Sequence, residues 1–285
     1  MKRKNILLLL AALLVFSLAC NFASEMGKRD NTEETAPAEN LPEATPLAES
    51  GDNPCKNVLY PLIPDSQLIY KNRTAEGETQ IGLTVSKVED SQDTIDMLDM
   101  STGIITQSTI GCEAGAIKSY PLVKLDTLFG DIAEGEMNMD YVSGVIAPSE
   151  DTLIANNWAM NWQSEYVMNG EMTFTDQGES MTINIDNSPV TMDWRVDSTG
   201  QSLSVPAGTF NNVVVVKREM AMQVSINMGG FPLKSDLTLE STHWFEPHIG
   251  MLKMTVDAVT AEFQGMTFPV PTDQVMELTE IRPAE

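Results

Sequence analysis

From residue 54 onward, apolar and polar positions alternate with a period of two. Thr182-Ile183-Asn184-Ile185-Asp186, Gln223-Val224-Ser225-Ile226-Asn227 and Leu237-Thr238-Leu239-Glu240-Ser241-Thr242-His243-Trp244 all read this way. Successive strand residues point to opposite faces, so this alternation predicts strands with one buried face. Val213 to Val216 is a continuous β-branched run and predicts a strand buried on both faces. Glycine and proline punctuate the region at short intervals (Gly77, Gly103, Gly130, Gly170, Gly178, Gly200, Gly208, Gly229-Gly230, Gly250, Gly265), which predicts hairpins or meanders. No window carries a capped 3.6-residue period. Only the stretch from Ser149 to Asn157 predicts a short helix, with Ser149 as N-cap and Asp151 in the first turn. No segment here has linker composition. The expected fold is all-β and mainly antiparallel: a curled β-roll or open barrel with at most one or two short helices, formed by residues 54–285 as a single domain.

The first 53 residues follow a different pattern. Lys2, Arg3 and Lys4 precede an unbroken apolar run from Ile6 to Phe16, and Ser17-Leu18-Ala19 leads into Cys20. The run is 11 residues long, which suits a secretory leader and is too short to span a bilayer of about 30 Å as a helix. A cysteine at the cleavage point resembles a bacterial lipobox, although Leu18 stands where a small residue is commoner. The expectation is a signal peptide over 1–19, removed after Ala19, with Cys20 acylated and the new N-terminus held in a membrane. Two or more acyl chains give stable anchoring, whereas one gives marginal binding.

Residues 21 to 53 hold eight acidic residues, two basic ones and three prolines, with Phe22 the lone aromatic. Such a stretch buries too little surface to offset its chain entropy, so 20–53 reads as a disordered acidic tether beginning at the lipidated cysteine. Treated as a flexible coil it spans roughly 30 Å.

Charge narrows the partners. The chain carries −24, and residues 54 to 285 alone hold 12 basic against 33 acidic residues, a net −21. A domain this acidic repels phosphate backbones and excludes nucleic acid as a partner. Besides Cys20 there are two cysteines, Cys55 and Cys112. In an oxidising compartment such a pair is expected to form a disulfide.

Two stretches carry a resemblance. Asn53-Pro54-Cys55-Lys56-Asn57-Val58-Leu59-Tyr60-Pro61-Leu62 with Tyr70 is similar to the opening of exported bacterial domains of unknown function. Val205-Pro206-Ala207-Gly208-Thr209-Phe210 followed by Thr242-His243-Trp244-Phe245-Glu246-Pro247-His248-Ile249-Gly250-Met251-Leu252-Lys253 resembles their second signature. The family is the DUF-type, TapB-like lipoproteins, built as a curled antiparallel β-roll. Ser66 and Leu68 depart from it, standing where the family favours Gly and Trp. The resemblance implies this fold and a cell-envelope location, and it carries no reaction.

Candidate chemistry is sparse, and no catalytic residue, metal site or cofactor is assigned. The two histidines, His243 and His248, flank Glu246, but a strand followed by a proline turn spreads the three apart. No G-x-S-x-G motif supports a serine hydrolase. Asp93-Thr94-Ile95-Asp96-Met97-Leu98-Asp99 lacks the Gly-centred loop of a calcium site and reads as a solvated strand edge or turn. Methionine is in excess, with 18 in the chain, and pairs such as Met137/Met139 and Met220/Met222 share a strand face. Thioethers favour a soft metal such as Cu(I), though the clustered M-x-x-M repeats of a copper chaperone are absent, and flexible methionine surfaces suit core packing or a deformable apolar cavity. The expected lining of such a cavity is Trp158, Trp162, Trp194, Met220 and Met222. The functional expectation is a bacterial cell-envelope lipoprotein, facing the extracytoplasmic side, that binds or scaffolds without catalysis. Its partners are the membrane through the N-terminal lipid and an apolar small molecule or another envelope protein. The alternatives are an extracytoplasmic hydrolase using carboxylates and a purely structural envelope protein.

Overall fold

The structure, a computed structural model, describes residues 55–74, 77–88, 92–119, 133–176, 179–228, 231–263, 266–270 and 273–284. The leader over 1–19, Cys20 and the acidic segment therefore lie outside the described residues.

Strands β1 (Gln67–Thr74), β2 (Gly77–Val88), β3 (Gln92–Asp99), β4 (Ile105–Glu113) and β5 (Ala116–Ser119) form one antiparallel meander. Strands β6 (Ala133–Gly144), β7 (Asn161–Asp176), β8 (Glu179–Val205), β9 (Gly208–Met228), β10 (Phe231–Glu246) and β11 (Gly250–Phe263) form a second. β12 (Met266–Val270) folds back on β11. The last strand, β13 (Val275–Arg282), pairs with both β1 and β11 and so joins the two meanders. The first and last strands thus meet in the middle of the sheet, with Tyr70 opposite Leu278.

Twisted strands in a sheet this wide curl toward closure. Here the two edges nearly meet. Ile117 N–H donates to Ala147 O at 2.9 Å, and Ile117 O accepts from Ile146 N–H at 2.8 Å. Tyr166 on β7 adds a hydroxyl hydrogen bond to Lys118 O at 3.3 Å. The all-β, antiparallel roll expected from the period-two pattern is the fold observed.

One short helix, α1 (Glu150–Ala155), lies between β6 and β7. Ser149 is its N-cap, with Oγ accepting from Thr152 N–H, and Glu150 and Asp151 occupy the first turn, as the sequence predicts. At the other end Trp158 N–H bonds Leu153 O at 2.8 Å and Asn157 N–H bonds Ile154 O at 2.9 Å, a Schellman closure. Six residues cannot hold a helix alone. Fully buried Leu153 docks it onto the core.

The cysteines do join: Cys55 and Cys112 form a disulfide with Cα atoms 5.3 Å apart, tying the segment before β1 to β4. Buried Asn57 secures the same segment. Its Nδ2 donates to Gly115 O (2.7 Å) and Pro148 O (2.8 Å), and its Oδ1 accepts from Leu59 and Tyr60 N–H.

Two corrections follow from the strands. Gly170 and Gly200 do not end elements; they sit inside β7 and β8 at irregularities in the pairing. A glycine within a strand marks such bulges, because they need backbone angles other residues avoid (Gly200 φ is +69°). Gly208 does close a hairpin, following the Pro206-Ala207 turn with φ +147°. Asp93 is not solvated: it is fully buried on β3, which lies between β2 and β4.

Val213 to Val216 on β9 are buried on both faces, as the β-branched run predicts. Val214 and Val216 enter a large cluster with Met168, Met192, Met220 and Phe245. Val213 enters a second cluster with Tyr70, Leu252 and Leu278.

Candidate functional site

The strands of the second meander place their inward residues in rows. Trp162 on β7, Trp194 on β8, Arg218 on β9 and Ser241 on β10 stand directly opposite one another. The next row holds Ser164, Met192, Met220 and Leu239, and the one beyond it Tyr166, Val190, Met222 and Leu237. On the other side of the Arg218 row stand Val196, Val216 and His243. Alternation explains the composition: Asp193, Arg195 and Glu219, between the inward positions, are exposed. Trp162 and Trp194 stack nearly parallel (4°) with centroids 6.3 Å apart. The indole N–H of Trp162 donates to Ile146 O at 2.8 Å.

Four of the five residues expected to line an apolar cavity, Trp162, Trp194, Met220 and Met222, are therefore brought onto one buried wall. Trp158 is not in those rows. It follows α1 with φ +59° and lines a hollow of about 420 Å³ with Glu150, Thr199, Asn212 and His248. His248, also at positive φ (+65°), sits there 3.6 Å from Glu150. Bulky residues at positive φ hold strain of about 1–3 kcal/mol each.

Arg218 is the residue that sequence reasoning missed. It is 5% exposed, and among the described residues no carboxylate pairs with it. Burial lowers its guanidinium from 12.5 to about 10, partly opposed by Tyr60, so it remains a cation at neutral pH. Its Cζ lies 5.3 Å from the Trp194 ring centroid, a cation–π contact. Its Nε donates to Ser241 Oγ at 3.1 Å, and Ser241 Oγ lies 3.0 Å from His243 Nε2. Burial first, and then the Arg218 charge, hold the His243 imidazole well below its usual range. A signal was present: one arginine in an inward position of an otherwise apolar period-two pattern.

Ser241 links the cation to the histidine. Ser241 Oγ accepts from Arg218 Nε–H and keeps one proton and one further lone pair, so its contact with His243 Nε2 is met by either tautomer of the neutral ring. Ser241 and His243 make the contact of a nucleophile and its base, but no carboxylate meets Nδ1. A histidine held neutral beside a cation is a weak base. The three rows from Trp162 to Leu237 contain no carboxylate.

His243, Glu246 and His248 do not converge. His243 is in the wall, Glu246 accepts from Asn212 N–H at 3.2 Å, and His248 is exposed. Among the described residues no group of three acidic, histidine or cysteine side chains is placed to hold a metal.

No protein-family model matches the chain, and no curated protein matches it. Two solved structures share its outline. A candidate exported protein with a YmcC-like fold from Bacteroides fragilis is 14% identical, with TM-score 0.44, over 79% of this chain and 99% of its own. A candidate lipoprotein from Parabacteroides distasonis is 16% identical, with TM-score 0.43, over the same shares.

Proposed function

We propose that this protein is an exported, lipid-anchored binding module that holds an apolar ligand against the inner wall of its curled sheet and carries out no catalysis. Cys20 is the anchor, residues 20–53 are the tether, and residues 54–285 form the binding domain. The wall carries the reading: the Trp162–Trp194 stack continues into Met192, Met220 and Met222, flexible side chains that repack around varied apolar shapes. The lipobox-like Cys20 and the resemblance to TapB-like lipoproteins support the envelope location.

The Ser241–His243 contact favours one rival, a hydrolase. Ser241 is 1% exposed, and its hydroxyl is already held by Arg218, which supports a binding role instead.

The test is to purify the full chain in mild detergent, then combine native mass spectrometry with organic extraction. A defined lipid or other apolar molecule is expected to leave with the protein. Repeated absence of any extractable ligand, with no displacement of a fluorescent lipid probe, overturns the reading.

A further inference from the structure

Among the described residues, three buried nitrogen atoms on the inner wall have no hydrogen-bond partner: Arg218 Nη2, Trp194 Nε1 and His243 Nδ1. Their residues are neighbours. Trp194 lies directly opposite Arg218, and the Trp194 and His243 rings are 5.4 Å apart. Arg218 Nη2 and Trp194 Nε1 are N–H donors in every state, one of them on a cation, and His243 Nδ1 stands beside them. Buried polar groups in folded proteins are almost always satisfied, and an unpaired buried charge is among the most unfavourable arrangements. A core that served packing alone would place an aliphatic residue at 218. Two fixed donors and one positive charge, with no acceptor bonded to them among the described residues, describe the complement of an anion.

The wall beyond them has the opposite character. From the Arg218 row the inward positions run through Met192, Met220 and Leu239 to Val190, Met222 and Leu237. Rows are about 7 Å apart, two residues of strand rise each, so the apolar stretch runs roughly 14 Å from the cluster. The outer face of the same strands carries exposed Asp193, Glu219 and Glu240, which repel an anion approaching from that side.

We infer that the donor pair of Arg218 and Trp194, with His243 beside it, seats the anionic head of an amphiphile, a carboxylate, while its alkyl chain lies along the methionine wall. This inference rests on the apolar-ligand reading above and names the class of ligand. The shared chemistry of the candidates is an alkyl chain ending in an anion. One guanidinium matches one negative charge, which favours a carboxylate over a phosphate monoester carrying nearly two.

The test uses the full chain in mild detergent at pH 8 and follows displacement of a dansyl-labelled undecanoic acid. Dodecanoate is expected to bind at least about ten-fold tighter than dodecanol, the scale of a charge-assisted hydrogen bond. Arg218→Met is expected to bring dodecanoate down to the dodecanol value while dodecanol is unchanged. Trp194→Phe, which removes one N–H and keeps a ring, is expected to lower the preference about three-fold. Equal binding of dodecanoate and dodecanol by the native chain overturns the head-group site and leaves the apolar reading standing. If neither binds, both fail. A preference that survives Arg218→Met shows that the seat is elsewhere and overturns the inference. Tighter binding of dodecyl phosphate than of dodecanoate overturns the carboxylate assignment. Should Arg218→Met not fold, the acid-to-alcohol ratio of the native chain and the Trp194→Phe ratio decide.

Discussion

The two hydrophobic clusters share strand β9, yet they treat polar atoms in opposite ways. Around Val213, Tyr70, Leu252 and Leu278 the packing is aliphatic and aromatic, and the Tyr70 hydroxyl that enters it donates to Met251 O at 2.9 Å. Around Val216 the other cluster borders Arg218, Ser241 and His243, where among the described residues three buried nitrogen atoms have no hydrogen-bond partner. The first satisfies the hydroxyl it takes in. The second gives up stability at one spot, and residues that do so in an otherwise well-packed sheet are where function is to be sought.

The largest expected contrast comes from removing core volume in the first cluster. Leu278 is fully buried between β1 and β11, so Leu278→Ala is expected to destabilise by about 3 kcal/mol, read as a lower midpoint in urea. An unchanged midpoint would mean that this cluster does not hold the first and last strands together.

A smaller effect distinguishes the second cluster by pH. The unfolded chain binds a proton on His243 below about 6.5, whereas the folded chain, with the imidazole buried beside Arg218, does not. The unfolded state therefore binds more protons, and stability falls as pH drops below 6.5 and levels off above it. The slope approaches about 1.4 kcal/mol per pH unit. His243→Gln should flatten that part of the curve between pH 6.5 and 5. The same slope in both proteins would refute the assignment.

The smallest effect has the opposite sign. Replacing a buried, unpaired cation with an apolar side chain of similar length relieves its desolvation, so Arg218→Met is expected to raise stability by about 1 kcal/mol in the absence of ligand. A loss comparable to that of Leu278→Ala would place Arg218 with the structural residues and erase the difference between the clusters.

Much of the fold was legible in the residues. Period-two alternation marked β10, four consecutive valines marked the doubly buried part of β9, and Ser149 with Asp151 marked the start of α1. Gly170 and Gly200 misled, because a bulge and a turn ask for the same backbone freedom. The candidate site was half legible. Trp162, Trp194, Met220 and Met222 stand out as large apolar residues at inward spacing. Arg218 reads as an ordinary surface cation until the register is known. Asn57 was equally silent, since its four hydrogen bonds reach from its own segment to residues as far away as Pro148.

By itself, then, the sequence determined the class of structure and the kind of wall. Alternation along a strand is a local property, and it commits each side chain to one face or the other. Which residues meet across strands is not local. The pairing of Trp194 with Arg218 and of Arg218 with Ser241 depends on the register of three strands, set by the bulges between Val196 and Leu203 and by the turns that join the strands. Tertiary structure alone decided that one arginine would be buried beside a tryptophan N–H and a histidine, with no counter-ion among the described residues.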